Sequence, residues 1–403
     1  MSSASSSHQS RAQQSGDDIV IVDAVRSPVG RRSGDLSGIH PSDLLSDVLT
    51  SLMERTEVDP GSIGQVVGGC VSQAGEQTAN IARNAWLGAG FPLSVASTTV
   101  DAQCGSSQQA ITLAYGLVAS GVVDSAIGCG VESMTRNPMG SSYKKGQRTA
   151  TARYKEHYEY TTQFQGAELM AEKWSISRQE CDAFGLRSQD NAARAWEEDR
   201  FATQIVHIDA PALDDEGKPT GEVRHVTRDG GIRPTTVEGL AGLKPVLEGG
   251  VHTAGASSQI SDGAGAVMLM RSSRAAELGL APLARIVDTC LVGSDPVLML
   301  TGPIEATSYL LERNGMQMSD IDIVEINEAF ASVVLAWQRE MNPDPDGVNP
   351  NGGAIALGHP LGGTGSILVT KAVHELHRAD RNIGLVTMCC GGGLGTGTII
   401  ERL

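Results

Sequence analysis

The chain has 403 residues, of which 48 are glycine and only 15 are Trp, Tyr or Phe. Glycine at about 12%, against an average nearer 7%, comes with 40% apolar residues and no G-X-Y period. That excludes a collagen-like or wholly disordered chain and points to a globular protein whose backbones approach closely. The formal charge of −16 excludes a general nucleic-acid binder, which needs a basic footprint, but leaves room for a local basic pocket.

Taken in chain order, residues 1–17 are rich in Ser and Gln and lack an apolar h-region; they read as a disordered tail rather than a signal peptide. No run of 18 apolar residues follows, so no membrane span is expected and a cytoplasmic location is. IVIVDAVRSP, from Ile19, reads as a buried strand and a turn. Residues 41–56 place Leu44, Leu45, Val48, Leu49 and Leu52 on one helical face. VDPGSIGQVVGGCV, from Val58, is a turn into a strand.

A similar order recurs late in the chain: ARIVDTCLVG as a strand, 304–314 as a helix, then MSDIDIVEINEAF as a turn, a strand and another helix. SIGQVV and DIDIVEI hold matching places, which implies two similar α/β halves from a duplication. The expected division is an N-terminal half of 18–133 plus 258–281, an insertion of 134–257, and a C-terminal half of 282–403. The insertion holds a helix-like run over 167–196 and a basic cluster of Lys144, Lys145, Arg148, Arg153 and Lys155. Such a cluster is a solvated face or a landing site for a phosphate-bearing ligand.

Seven cysteines, an odd number with no CxxC pair, exclude a disulfide framework or zinc ribbon. His374 and His377 flank Glu375 and Leu376 on a predicted helix, a spacing too weak to imply a metal, and no metal is expected. Four segments carry chemistry. In the first, Cys104 precedes a helix with no charge from Gly105 to Val123; a helix apolar nearly all round is a buried one. Cys104 is either a structural thiol or, with the helix dipole behind it, a nucleophile of lowered pKa. In the second, His359 stands in the glycine-rich turn GGAIALGHPLGGTG, which either aims the ring or merely contains it. In the third, a strand runs into Cys389, Cys390 and three glycines, a plain strand end or a second reactive thiol beside oxyanion-binding N–H groups. In the fourth, Asn327 either caps a helix or positions a water or carbonyl.

Together, QCGSS, NEAF, GGAIALGHPLGGTG and CCGGG, in this order, resemble the thiolases over Ile19 to Leu403. The resemblance implies a thiolase-like α/β fold: two duplicated βαβαβαββ halves in a five-layer α-β-α-β-α sandwich, with an inserted loop domain that binds coenzyme A. It implies Cys104 as the acyl-accepting nucleophile, His359 as its activating base and Cys389 as the second acid/base. Asn327 and His359 would form one oxyanion hole, the N–H groups of Cys104 and Gly391 the other. Ser258, Met299 and Arg233 would contact the coenzyme A arm or the acyl group. The implied partners are acyl-CoA substrates and a second copy of the chain, as a homodimer or homotetramer, with no permanently bound cofactor.

This sequence departs from the family pattern at Ala256, Leu300, Gly363 and Cys390, and lacks the His-Met pair of short-chain biosynthetic members before ELMAEKW. That favours a degradative 3-ketoacyl-CoA thiolase, with bulky or steroid side-chain esters among the candidate substrates, over a biosynthetic acetoacetyl-CoA enzyme. A ketoacyl synthase or hydroxymethylglutaryl-CoA synthase would lack Cys389, and an inactive thiolase-like lipid carrier would lack part of the set.

Overall fold

Two half-sheets of matching strand order form the frame of the protein, a computed structural model of which describes residues 17–143, 149–214 and 216–403. The N-terminal half runs β1 (Ile19–Arg26), β2 (Gly30–Arg31), α1 (Pro41–Thr56), β3 (Gln65–Gly69), α2 (Ile81–Gly88), β4 (Ala96–Val100), α3 (Ser106–Ala119) and β5 (Ser125–Ser133). The chain then leaves the sheet through α4 (Ala152–Lys155), α5 (Gln163–Lys173), α6 (Arg178–Glu197), the hairpin β6 (Ile208–Leu213) and β7 (Pro219–Val226), and α7 (Val237–Ala241). It returns as β8 (Ser261–Arg271), antiparallel to β5. After α8 (Ser272–Glu277) come β9 (Ala284–Gly293), α9 (Gly302–Asn314), β10 (Ile323–Ile326), α10 (Ala331–Met341), α11 (Thr364–Arg378), β11 (Ile383–Cys390) and β12 (Leu394–Arg402).

The order β4-β3-β5-β8-β1 in the first half is repeated by β10-β11-β12-β9 in the second. A parallel bridge from Val324 to Val348 stands where β3 meets β4 in the first half. The duplication legible as a repeated strand–helix order is therefore also a repeat of pairing and direction. The two half-sheets join where β1 meets β9, through Val20–Arg285 and Ile21–Ala284.

Three of the buried clusters hold five layers together. The first holds Leu44, Leu45, Leu49 and Trp86 of α1 and α2 against one face of the N-terminal sheet. The middle one holds Ala110, Ile111 and Ala114 of α3 and Leu368, Val369 and Val373 of α11, between the two sheets. The third holds Ala306, Leu310, Val333 and Trp337 of α9 and α10 against the outer face of the C-terminal sheet. Side chains alternate faces along a strand. In β1, Val20 and Val22 face the first cluster and Ile19 and Ile21 the middle one. A register shift after Ile21 then places Val25 in the first and Ala24 in the middle one.

The helix over 41–56 falls where its periodicity predicts, with Pro41 in the first turn and the His40 ring accepting from Ser42 N–H. Other expectations change. The run over 167–196 is two helices, because Ser177 and Glu180 form a capping box that starts α6 afresh. The helix after Cys104 is not buried all round: Ala110, Ile111, Ala114 and Val118 face the core, while Leu113, Gly116 and Ala119 are exposed. α11 is the helix buried on nearly every side. His374 and His377 are committed to protein partners, His374 to Thr203 and the Ala24 carbonyl, His377 to the Leu283 carbonyl. Asp17, at the end of the expected tail, accepts from Ser272 and Ser273; residues 1–16 lie outside the described residues.

Burying α11 puts Lys371 and Glu325 in the interior, where Lys371 Nζ lies 2.6 Å from Glu325 Oε2 and 2.7 Å from the Gly352 carbonyl. Removing one partner strands the other's charge. Lys371→Met is expected to destabilise the protein by about 3–5 kcal/mol in chemical denaturation, and the Glu325→Met/Lys371→Met pair to regain more than half of that. A Lys371→Met protein as stable as the parent would show that the charge is not held there.

Candidate active site

Cys104 sits in a tight turn at the head of α3. Gln103 before it has φ 53°, and Gly105 after it caps the helix without a side-chain bond. The backbone N–H groups of Gly391 and of Cys104 itself face the Cys104 sulfur. β11 supplies Gly391: Cys389 and Cys390 end the strand, and the chain turns back through three glycines into β12. The alternation along β11 sends the two vicinal thiols to opposite faces. Cys389 lies in the outer cluster with Met299, Leu300, Ala329 and Phe330. Cys390 lies in the middle cluster beneath Gly105, where a Cβ at Gly105 would stand 2.6 Å from its sulfur, and its thiol reaches the Met388 carbonyl at 3.9 Å.

The expectation of a lowered Cys104 pKa does not hold. The N–H groups at the head of α3 are turned elsewhere, Gly105 to the Ala102 carbonyl and Ser106 to the Gln103 carbonyl. Burial outweighs the two N–H groups that do face the sulfur and pushes the thiol up to about 11. Cys389 is pushed well above its ordinary value, first by burial and then by the neighbouring Cys104 and Cys390 sulfurs. Both thiols are therefore protonated at neutral pH.

His359 is buried and precedes α11 by five residues. Its backbone N–H reaches the Gln259 carbonyl and Ser261 Oγ. Its Nδ1 lies 2.6 Å from Thr364 Oγ1, whose own proton goes to the Pro360 carbonyl at 2.8 Å. Thr364 must then accept, so Nδ1 carries the ring proton and Nε2 is the free base. Asn327 Nδ2 faces that Nε2 at 3.4 Å. Burial pushes the ring down to about 4, so it is neutral at physiological pH. Asn327 does not cap a helix, since α10 starts four residues later with Phe330 at its cap. Its backbone N–H bonds the Thr387 carbonyl, two residues before Cys389, and its Oδ1 is buried without a protein partner.

Of the other expected residues, Ser258 is half-buried and its N–H bonds the Ala329 carbonyl. Met299 is buried at φ 62°, against Gly166 at the start of α5. Arg233 is exposed and its guanidinium reaches the Ala254 carbonyl, on the loop that leads to Ser258. Arg153 and Lys155 are exposed on α4, while Lys144, Lys145 and Arg148 lie outside the described residues.

The thiolase N-terminal domain model matches residues 19–273 and the thiolase C-terminal domain model residues 280–402. The chain belongs to the thiolase family. It is 45% identical over 392 residues to a steroid 3-ketoacyl-CoA thiolase of Mycobacterium tuberculosis, covering 95% of this chain and 94% of that one. It is 39% identical over 387 residues to a 3-ketoacyl-CoA thiolase of Bacillus subtilis, covering 95% and 98%. The crystal structure of the Bacillus anthracis acetyl-CoA acetyltransferase superposes with a TM-score of 0.87 at 36% identity, covering 96% of this chain and 99% of that one. This thiolase is accordingly an acyltransferase.

Three residues that set the geometry were not singled out in the sequence, although Thr364 lies in GGAIALGHPLGGTG and Glu328 in NEAF; only Glu132 lies outside the motifs. Thr364 fixes the His359 tautomer. Glu132, fully buried, accepts from the N–H groups of Val71, Ser72 and Gly362 and from Gln77, tying the His359 loop to the N-terminal sheet. Glu328, next to Asn327, accepts from Ser188, Asn349 and Ile355 N–H, and burial raises its pKa. At Gly363, a Cβ would stand 2.8 Å from the Gly263 carbonyl, which explains glycine in place of the family's alanine.

A neutral thiol beside a neutral imidazole makes a specific prediction. Alkylation of Cys104 by iodoacetamide, read by mass spectrometry, is expected to climb continuously from pH 7 toward about 11, where the thiol itself ionises. A rate already flat from pH 6 upward would mean a preformed thiolate–imidazolium pair instead.

Proposed function

We propose that this thiolase cleaves 3-ketoacyl-CoA with coenzyme A through an acyl-enzyme on Cys104. The observation that carries this is the close packing of the Gly391 turn on the Cys104 turn, where a Cβ at Gly391 would stand 3.1 Å from Gln103 Oε1, so that the N–H groups of Cys104 and Gly391 face the Cys104 sulfur. Donors aimed at that sulfur lie where the oxygen of a tetrahedral adduct develops charge. His359 Nε2 takes the Cys104 proton as the sulfur attacks the 3-keto carbon. The bond between C2 and C3 breaks, and the leaving acetyl-CoA enolate takes a proton at carbon from Cys389. The Asn327 amide and the His359 ring hold the enolate oxygen. In the second half, Cys389 as thiolate takes the proton of incoming coenzyme A, whose sulfur attacks the Cys104 thioester. Cys104 leaves and recovers its proton from His359, so the site returns to its starting state. Cys389 is suited to this because its raised pKa keeps the proton until the enolate needs it.

Several features support a degradative enzyme acting on larger acyl groups. The segment QFQGAELMAEKW lacks the His-Met pair of short-chain biosynthetic members, Leu300 stands beside Met299, and the named relatives are 3-ketoacyl-CoA thiolases, one of them a steroid enzyme. Ser258, Arg233 and the exposed Arg153 and Lys155 supply the polar and basic groups for the coenzyme A arm and its phosphates. The chain works as a dimer or a dimer of dimers. β4 ends the sheet with one side unpaired, and the exposed face of α3, including Leu113, runs beside it. An open edge next to exposed apolar side chains favours pairing with a second copy.

Cys104→Ser is expected to lower thiolysis by on the order of 10³-fold or more with an unchanged circular dichroism spectrum; full activity would overturn the assignment. Cys389→Ala is expected to lose turnover yet carry an acetyl mass on Cys104 after incubation with acetyl-CoA. Sedimentation at micromolar concentration is expected to give an even number of chains, and a monomer would contradict the proposed pairing.

A further inference from the structure

A second histidine, His252, lies buried outside the reaction scheme, in a polar knot that sequence motifs do not mark. Glu168 of α5 accepts from Val251 N–H, from His252 N–H and, at 3.0 Å, from His252 Nδ1. His252 Nε2 lies 2.9 Å from Ser332 Oγ in the first turn of α10, and Ser332 Oγ lies 3.1 Å from the Ala167 carbonyl of α5. The Phe330 ring closes the knot, edge to face with the imidazole at 5.5 Å. A carboxylate only accepts, so His252 carries its proton on Nδ1; burial lowers the ring's pKa and Glu168 opposes that. The order Ser–His–carboxylate is that of a hydrolytic relay, but Ser332 is wholly buried and out of reach of any substrate.

What the knot holds is the segment that follows His252. Ala331 N–H bonds the Ala256 carbonyl, Ser258 N–H bonds the Ala329 carbonyl, and Ser257 bridges Phe330. Residues 256–258 are therefore fastened to the turn that follows Asn327. The same α5 that carries Glu168 presses Gly166 against the Leu298 carbonyl and Met299. The Ser258 loop and the Asn327 turn thus meet at the His252 ring, and α5, through Glu168 and Gly166, ties that ring to Met299.

We propose that His252, held between Glu168 and Ser332, is a positioning residue that sets the Ser258 loop for the coenzyme A arm. This rests on the thiolase reading of the site. The ring acts through the loop and not on the reacting carbon, so its loss falls on binding. His252→Ala is expected to raise the KM for coenzyme A about tenfold while kcat stays within about threefold, and to weaken coenzyme A binding in calorimetry by a similar factor. His252→Asn keeps a donor for Glu168 and is expected to restore KM to within about threefold of the parent. Ser332→Ala, which removes only a hydroxyl, is expected to raise KM about twofold to threefold and serves if His252→Ala does not fold. A lower melting temperature with an unmoved KM overturns the proposal, as does a His252→Asn protein no better than His252→Ala. If the parent enzyme binds coenzyme A but thiolyses no 3-ketoacyl-CoA, the proposed function falls, and the ratio of the coenzyme A dissociation constants still decides the role of His252.

Discussion

The arrangement depends on the contact between the first turns of α3 and α11, buried between the two half-sheets. A Cβ at Gly365 would stand 2.3 Å from Gln108 N, so only glycine lets the helices meet there. Ser366 N–H then bonds Ser107 Oγ across the contact. Gln108, fully buried, completes the junction: its amide nitrogen reaches the Val386 carbonyl and Thr398, and its oxygen accepts from Thr396. One side chain of the N-terminal half is thereby bonded to both strands that carry the CCGGG turn. The two helix heads, preceded by the loops of Cys104 and His359, cannot shift apart without leaving those amide groups unpaired in the interior.

Buried carboxylates fix the loops that the helices leave free. Glu132 gathers donors from two segments of the N-terminal half and from Gly362 of the other half. Glu328 gathers donors from the insertion and from the loop before His359. Neither touches the reacting atoms. A buried carboxylate is costly unless its lone pairs are filled, so each holds its donors in place as firmly as they hold it. The consequence for chemistry is a site with little freedom: His359 keeps one tautomer, and the donors around Cys104 are set before substrate arrives. The same burial keeps the resting site uncharged, with protonated thiols and a neutral ring.

The four motif segments were legible because each combines a reactive side chain with glycines or small residues at a helix or strand end. The duplicated architecture was legible because strand–helix order repeats at matching places, and the sheet order repeats with it. The helix over 41–56 needed only its periodicity and its proline. Other readings failed where a local pattern met a tertiary choice. The apolar α3 exposes a face that its sequence would bury, while the more polar α11, with Lys371 and Glu375, is enclosed on nearly every side. Periodicity reports that a helix has apolar residues but not how many neighbours surround it.

Sequence by itself determined the family, the fold and the identity of the groups that meet, since those follow from residue type and order. Tertiary structure decided their chemical state. The Cys104 pKa rises because neighbouring layers remove water and because the helix-head N–H groups find other carbonyls, neither of which is written in QCGSS. Of two adjacent cysteines, the alternation of β11 sends one into the cluster that holds Met299 and the other under Gly105. The partners of His359 and His252 come from segments distant in the chain or from geometry that no motif records, because hydrogen bonds depend on distance and direction, which only the folded chain supplies.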